Sequence, residues 1–261
     1  MSDADAYEEW IRQGVHRMAI DLVSIIEGTD TPVGDGINAP VRALVRFDNN
    51  SIQRAIVKTL PPANLAAELF CAVLLRGWGL AIPDVAIVRG EPVRFASLDT
   101  GYPSLKQRIG WSETLPPVVR QVLEQHGAKL VSGFTDTPRA LAVDEAISNR
   151  DRNLGNILWD GVAVNWIDHE RVLGLHELPD RNLLAEMATL TGNAERVQKT
   201  AVAIALSLGQ HAVDSALREC ASFDDANGFA DQIGKKLAPL AMLVLKRFPQ
   251  PKDLLQLGDN P

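Results

Sequence analysis

Asn149-Arg150-Asp151-Arg152-Asn153-Leu154-Gly155-Asn156-Ile157-Leu158-Trp159-Asp160-Gly161, closing with Trp166-Ile167-Asp168-His169, is the stretch on which the reading of this chain turns. Just upstream, Thr137-Pro138 supplies an N-cap residue and a proline at the first helical position, launching a helix to about Ser148. A polar loop follows, then two short strand-like runs, Ile157–Trp159 and Val162–Ile167, joined by a tight Asp160-Gly161 turn. The loop offers Asp151 and, five residues on, Asn156, and the hairpin carries the chain out and back so that Asp168 returns beside Asn156. An Asp, an Asn and an Asp converging in this order suit phosphoryl transfer. One carboxylate accepts a hydroxyl proton, while an amide oxygen and a second carboxylate hold magnesium against phosphates. Asp and Asn are also common turn formers, so the D-x4-N spacing alone is a weak signal. The whole ordered string carries the inference.

Working outward, the first half reads as strands around one helix. Ile20–Ile26 precedes a turn-rich stretch, Glu27–Pro40, with Gly28, Gly34 and Gly36. Val41–Phe47 and Ile52–Lys58 form a hairpin across Asp48-Asn49-Asn50-Ser51. Pro61-Pro62-Ala63-Asn64 opens a helix through about Trp78, ended by Gly77 or Gly79, and Pro83–Val88 is a further strand. Phe95–Trp111 carries a weak pattern and reads as a connection. Beyond it, Leu115, Val118, Val119, Val122 and Leu123 make an apolar stripe that stops before Gly127, and the chain after Asp180 alternates helical patterns with breaks.

Composition limits the partners. The 261 residues include 26 basic and 33 acidic side chains, a net charge of −7, which argues against direct nucleic-acid binding because neutralising phosphates needs clustered Lys and Arg. The two cysteines and five histidines are scattered, without zinc-ligand spacing. Cys71, inside an apolar run, reads as a buried thiol. The apolar stretch near Leu237–Leu245 contains Pro239 and falls short of the roughly 20 residues a membrane span needs. With an acidic start unlike a signal peptide, the expectation is a cytoplasmic protein with no membrane partner.

The D-x4-N loop, the hairpin and an aspartate twelve residues after the Asn resemble protein-kinase catalytic and metal loops. The wording Asp151-Arg152-Asn153 through Asn156 with Ile167-Asp168-His169 is most similar to HipA-type serine/threonine kinases of toxin–antitoxin systems, and more distantly to the phosphatidylinositol kinase-like branch. The resemblance implies that Asp151 is the catalytic base and that Asn156 and Asp168 ligate Mg2+. Ala55-Ile56-Val57-Lys58 resembles the strand bearing the phosphate-binding lysine, and Glu68 stands where a helical glutamate holds that lysine. A surface lysine and a solvated helix glutamate would look the same in isolation. Gly79–Val88 resembles the turn and strand that lead to the hinge, where adenine would pair with backbone around Val88–Gly90. Gly34 and Gly36 lie in a loop whose amides either cradle phosphates or simply turn the chain. Asn149 stands two before Asp151 where many kinases have histidine, no glycine follows Asp168, and Arg171–Asp180 is short for a regulated activation loop. The resemblance spans roughly Ile20–Leu173.

The expectation is therefore an α+β, bilobal, protein-kinase-like fold. Residues 1–110 form an antiparallel-sheet N-lobe and residues 111–261 a mostly helical C-lobe carrying the catalytic and metal loops. Its expected activity is ATP- and Mg2+-dependent phosphorylation of a serine or threonine on a protein substrate, with an antitoxin-like partner as the resemblance implies. The competing readings are a kinase of small molecules or lipid head groups and a nucleotide-binding pseudokinase. Arg150 and Arg152 either neutralise substrate charge or one of them pairs with a carboxylate such as Asp144 or Glu145, His169 orients Asp168, contacts phosphate or makes a structural hydrogen bond, and Trp159 and Trp166 are expected to pack across the hairpin.

Overall fold

The computed structural model describes residues 20–33 and 39–249. Strands β1 (Asp21–Ile25), β2 (Thr31–Pro32), β3 (Val41–Phe47), β4 (Ile52–Lys58), β5 (Val85–Val88) and β6 (Arg94–Leu98) form one sheet in the order β1-β5-β6-β4-β3-β2. Strand β3 also pairs with β1, so the five longer strands close on themselves as a partial barrel. The ring contains a parallel pairing, β1–β5, which corrects the expectation of a purely antiparallel sheet. Alternation along each strand sends Val23, Ala43, Val45, Ala55, Val57, Ala86, Val88 and Ala96 into a small core of their own. Alanine and valine suit this position because a narrow ring leaves little room inside.

The residues of opposite phase, among them Leu22, Val85, Ile87 and Phe95, join the main core with helix α1 (Pro62–Gly77). Every residue of α1 from Leu65 to Leu75 is buried. One end of the helix crosses α7 (Gln210–Glu219) so closely that a Cβ on Gly77 would lie 2.9 Å from the Ala212 Cβ. Phe70 meets Phe229 of α8 (Ala226–Leu237) edge-on at 5.8 Å. The remaining elements are α2 (Leu105–Arg108), α3 (Pro117–Gly133), α4 (Thr137–Ala146), a 3-10 turn (Leu154–Asn156), the hairpin β7 (Ile157–Trp159) and β8 (Val164–Trp166), α5 (Leu183–Leu190), α6 (Ala194–Ala205) and α9 (Leu240–Lys246). The chain is thus α+β, with nine helices among the described residues, none of them long and apolar enough to cross a membrane. Cys71 and Cys220 are free and buried.

Several local expectations change. Phe95–Trp111 is not mere connection: it contains most of β6, and α2 opens on a Ser104–Gln107 capping box. Helix α3 runs through Gly127, whose missing Cβ makes room for Leu154, 2.5 Å from where that Cβ would stand. Its stripe Val118, Val119 and Val122 is exposed, and the core contact comes instead from Gly127, Ala128 and Val131. Thr137 is the first residue of α4 rather than its cap, and its hydroxyl donates to the Val131 carbonyl. The hairpin turn spans Asp160–Ala163, with Asp160 Oδ1 accepting from the amides of Val162 and Ala163 at 2.7 Å each. That register sets Trp159 opposite Val164 and Trp166 opposite Ile157. The two tryptophans are therefore offset, Trp159 packing on Phe134 at 5.4 Å and Trp166 lying under the Arg152 guanidinium.

Candidate active site

A cleft of about 680 Å³ opens between the barrel and the loops around β7 and β8. Lys58 closes β4, one residue out of phase with Val57 of the barrel core, and so faces this cleft. Its ammonium donates to Asp168 Oδ1 at 2.6 Å, Glu170 Oε2 at 3.2 Å and Glu68 Oε1 at 3.3 Å. Glu68 comes from the second turn of α1, and its other oxygen accepts the His169 amide at 3.0 Å. The Asn64 side chain, at the start of the same helix, donates to the Glu170 carbonyl at 2.7 Å. One helix therefore holds both Lys58 and the loop that follows β8.

Electrostatics set the character of this cluster. Burial opposes a charged Lys58, but the Glu68, Asp168 and Glu170 carboxylates outweigh it and hold the ammonium well above its ordinary range. Burial pushes the Glu68 carboxyl up; Lys58 opposes that shift, while Asp168 and Glu170 add to it. Three carboxylates share one ammonium, and an oxygen atom from each lies within 4.8 Å of the others. This surplus of hard oxygen donors suits a hard metal cation. Asp168 is the most open of the three, its side chain 31% exposed against 11% for Glu170 and 4% for Glu68. Its backbone sits at φ +68°, the left-handed region. The peptides on either side hold it there: the Ile167 carbonyl accepts from Arg152 Nη1 at 2.9 Å, and the His169 amide donates to Glu68 at 3.0 Å.

Across the cleft, Asp151 follows α4. Its amide donates to Asn149 Oδ1 at 3.1 Å, and its Oδ2 accepts from Arg171 Nη1 at 3.0 Å. Asn156 donates its side-chain nitrogen to the Asp151 carbonyl at 3.0 Å, which leaves Oδ1 as the amide's donor atom for a cation. The loop is tied together by Arg152, which is fully buried. Its Nε and Nη2 bind the two oxygens of buried Asp144 at 3.0 and 2.9 Å. Nη1 reaches the carbonyls of Asn156 at 3.2 Å and Ile167 at 2.9 Å. Nη2 also lies 2.9 Å from His169 Nε2. Burial, Arg152 and Lys58 all hold His169 well below its ordinary pKa, so the neutral ring accepts from Arg152. Arg150 pairs with Glu145 at 3.0 Å. Both arginines flanking Asp151, and not one alone, are thus paired with a carboxylate, Arg152 with Asp144 and Arg150 with Glu145.

Lys58, Glu68, Asp151, Asn156 and Asp168, separated by up to 110 residues in sequence, all line the one cleft. Val88 does not. Strand alternation points it into the barrel, and Val85, of opposite phase, reaches the cleft wall instead. The chain leaves the barrel after β6, so Leu98–Tyr102 borders the cleft where the sequence pattern points to Val88–Gly90. Gly34 and Gly36 fall outside the described residues; Val33 and Pro40, on either side of them, line the cleft. Glu170 and Arg171 are site residues that sequence reasoning misses. Their only signal is proximity to Asp168. A larger groove of about 1030 Å³ lies beyond Asn153, against α3 and α5, and holds none of the clustered carboxylates.

No family model and no curated protein matches the sequence. Among solved structures, the chain is similar to the crystal structure of a Helicobacter pylori proinflammatory kinase, CtkA. The TM-score is 0.50 at 12% identity, and the match covers 86% of this chain and 95% of that one. The fold is kinase-like.

Proposed function

We propose that this chain is an ATP- and Mg2+-dependent phosphotransferase that phosphorylates a serine or threonine hydroxyl on a protein, in the manner of HipA-type kinases. The observation that carries the reading is the convergence of Lys58, Glu68, Asp151, Asn156 and Asp168 on one cleft of a kinase-like fold. The same proposal divides the chain near Gly110 into a nucleotide-binding lobe and a lobe that presents the catalytic loop.

In this mechanism Glu68 keeps the Lys58 ammonium in the cleft, where it binds phosphate oxygens of ATP. Asn156 Oδ1 and the Asp168 carboxylate would hold Mg2+, which supplies charge neutralisation at the phosphates when bound. Asp151 accepts the proton of the acceptor hydroxyl as that oxygen bonds to the γ-phosphorus and the bond to the ADP oxygen breaks. Little covalent chemistry falls to the protein, so rate comes from positioning and charge stabilisation.

The test is transfer of labelled γ-phosphate from ATP with Mg2+, comparing wild type with Asp151→Ala and mapping any phosphoserine or phosphothreonine by mass spectrometry. Equal labelling by the two proteins overturns the assignment. Labelling of lipid or sugar hydroxyls but never of protein replaces the substrate class, and ATP binding without any transfer makes the chain a binding module.

A further inference from the structure

Resting on the phosphotransferase reading, we infer that Arg171 is a second catalytic cation, one that contacts the phosphoryl group in transit. Among the described residues, four cationic side chains line the cleft: Arg42, Lys58, Lys106 and Arg171. Arg42 is engaged with Asp99 at 2.8 Å, and the Lys106 ammonium sits 3.8 Å over the Trp111 ring. Lys58 is shared among three carboxylates. Arg171 alone among them lies on Asp151, by a single 3.0 Å bond from Nη1 to Oδ2. Both partners are about one-third exposed, so this is no buried structural pair.

Its place in the cleft is the reason for the assignment. The transferring phosphoryl must lie between the hydroxyl at Asp151 and the metal-facing carboxylate Asp168. Arg171 is three residues after Asp168 in the chain and touches Asp151 in space. A guanidinium has five donors in a planar fork, and one is used here. The others can donate to equatorial phosphoryl oxygens while Nη1 keeps Asp151 oriented toward the hydroxyl. The cleft also needs the charge. Glu68, Asp151, Asp168 and Glu170 supply four carboxyl groups around Lys58 and Arg171, so the charge that shifts onto the phosphoryl oxygens during transfer has few cations to meet it.

The experiment compares wild type, Arg171→Ala and Arg171→Lys for phosphate transfer from MgATP, with MgATP affinity by calorimetry and urea midpoints measured alongside. The expected result for Arg171→Ala is a fall of roughly 100- to 1000-fold in kcat, the size seen when one preorganised transition-state donor is removed. MgATP affinity and the urea midpoint should stay near wild type. Arg171→Lys should recover little, because a point charge lacks the fork, and guanidinium ion added to Arg171→Ala should restore part of the rate. Arg171→Ala turning over as fast as wild type, or faster, overturns this role and leaves the phosphotransferase reading standing. Loss of rate matched by loss of folding, with no guanidinium rescue, overturns it too. A wild type that transfers no phosphate overturns both readings.

Discussion

Replacing Arg152 with methionine is the sharpest test of how this fold holds its loop. Methionine fills most of the space and removes the charge. What is left behind sets the magnitude: Asp144, 1% exposed, loses both bonds to the guanidinium and keeps the Asn149 amide at 2.9 Å. Breaking a buried ion pair from one side costs about 3–5 kcal/mol, because the surviving charge stays buried. The Ile167 carbonyl and His169 Nε2 lose a donor as well. Against a typical net stability of about 5–15 kcal/mol, the loss is a large share of the whole. Urea unfolding followed by tryptophan fluorescence measures it. Pairing the change with Asp144→Leu removes both charges, so the double variant should be more stable than either single one. A cost for Arg152→Met below about 1 kcal/mol, or a double variant no better than the sum of the singles, would refute the claim that this pair is a buried, mutually dependent anchor.

Three further outcomes are expected. In the proposed mechanism Asp151 meets the acceptor rather than the nucleotide, so Asp151→Asn should slow phosphate transfer by roughly 100- to 10,000-fold, the range for a general base, with MgATP affinity by calorimetry unchanged. Gly127→Ala should cost about 1–3 kcal/mol in urea unfolding, since the new methyl would meet Leu154 at 2.5 Å. It should also slow transfer, because Leu154 lies between Asp151 and Asn156 in the loop. Glu145 is opposed by burial, but hydrogen bonds and charge from Arg247 and Arg150 outweigh that and hold its carboxyl below the usual range. Its folded pKa is thus depressed, so its contribution is present above the unfolded value of 4.5 and disappears as pH falls through the lower folded one. Glu145→Gln should therefore flatten the loss of stability between neutral pH and pH 3, and an unchanged acid slope would refute the assignment.

What the sequence made legible was local chemistry in a fixed order. Asp151, Asn156 and Asp168 could be named because a helix, a loop and a hairpin tie them within one short segment. Lys58 and Glu68 could be named because strand and helix signals flank them closely. Where Val88 lies was not legible for a reason equally local: a continuous apolar run such as Val85-Ala86-Ile87-Val88 does not say which phase faces a barrel and which faces a cleft. Arg171 and Glu170 failed because their roles come from tertiary meeting, with Asp151 across the cleft and with Lys58 from another strand. The stripe on α3 misleads because valines at helical spacing read as core. The inward face is instead defined by small residues, Gly127 and Ala128, which fit against Leu154 and are too slight to stand out as an apolar stripe.

The burial of α1 bears on regulation. In a kinase controlled by swinging its glutamate helix, the helix needs a solvent side toward which it can move. Here eleven consecutive residues, Leu65–Leu75, are buried, with the barrel against one side and α7 and α8 against another. Rotating Glu68 away from Lys58 would expose several of Leu65, Leu69, Phe70, Leu74 and Leu75, each worth roughly 1.5–3 kcal/mol of burial. Two such side chains already outweigh what a phosphorylation or a small ligand contributes through one to three charge-assisted hydrogen bonds. The close crossing at Gly77 and Ala212 adds a steric stop. The Lys58–Glu68 contact is accordingly built into the folded state, and control of this site would have to act on the loop after β8 or on access to the cleft.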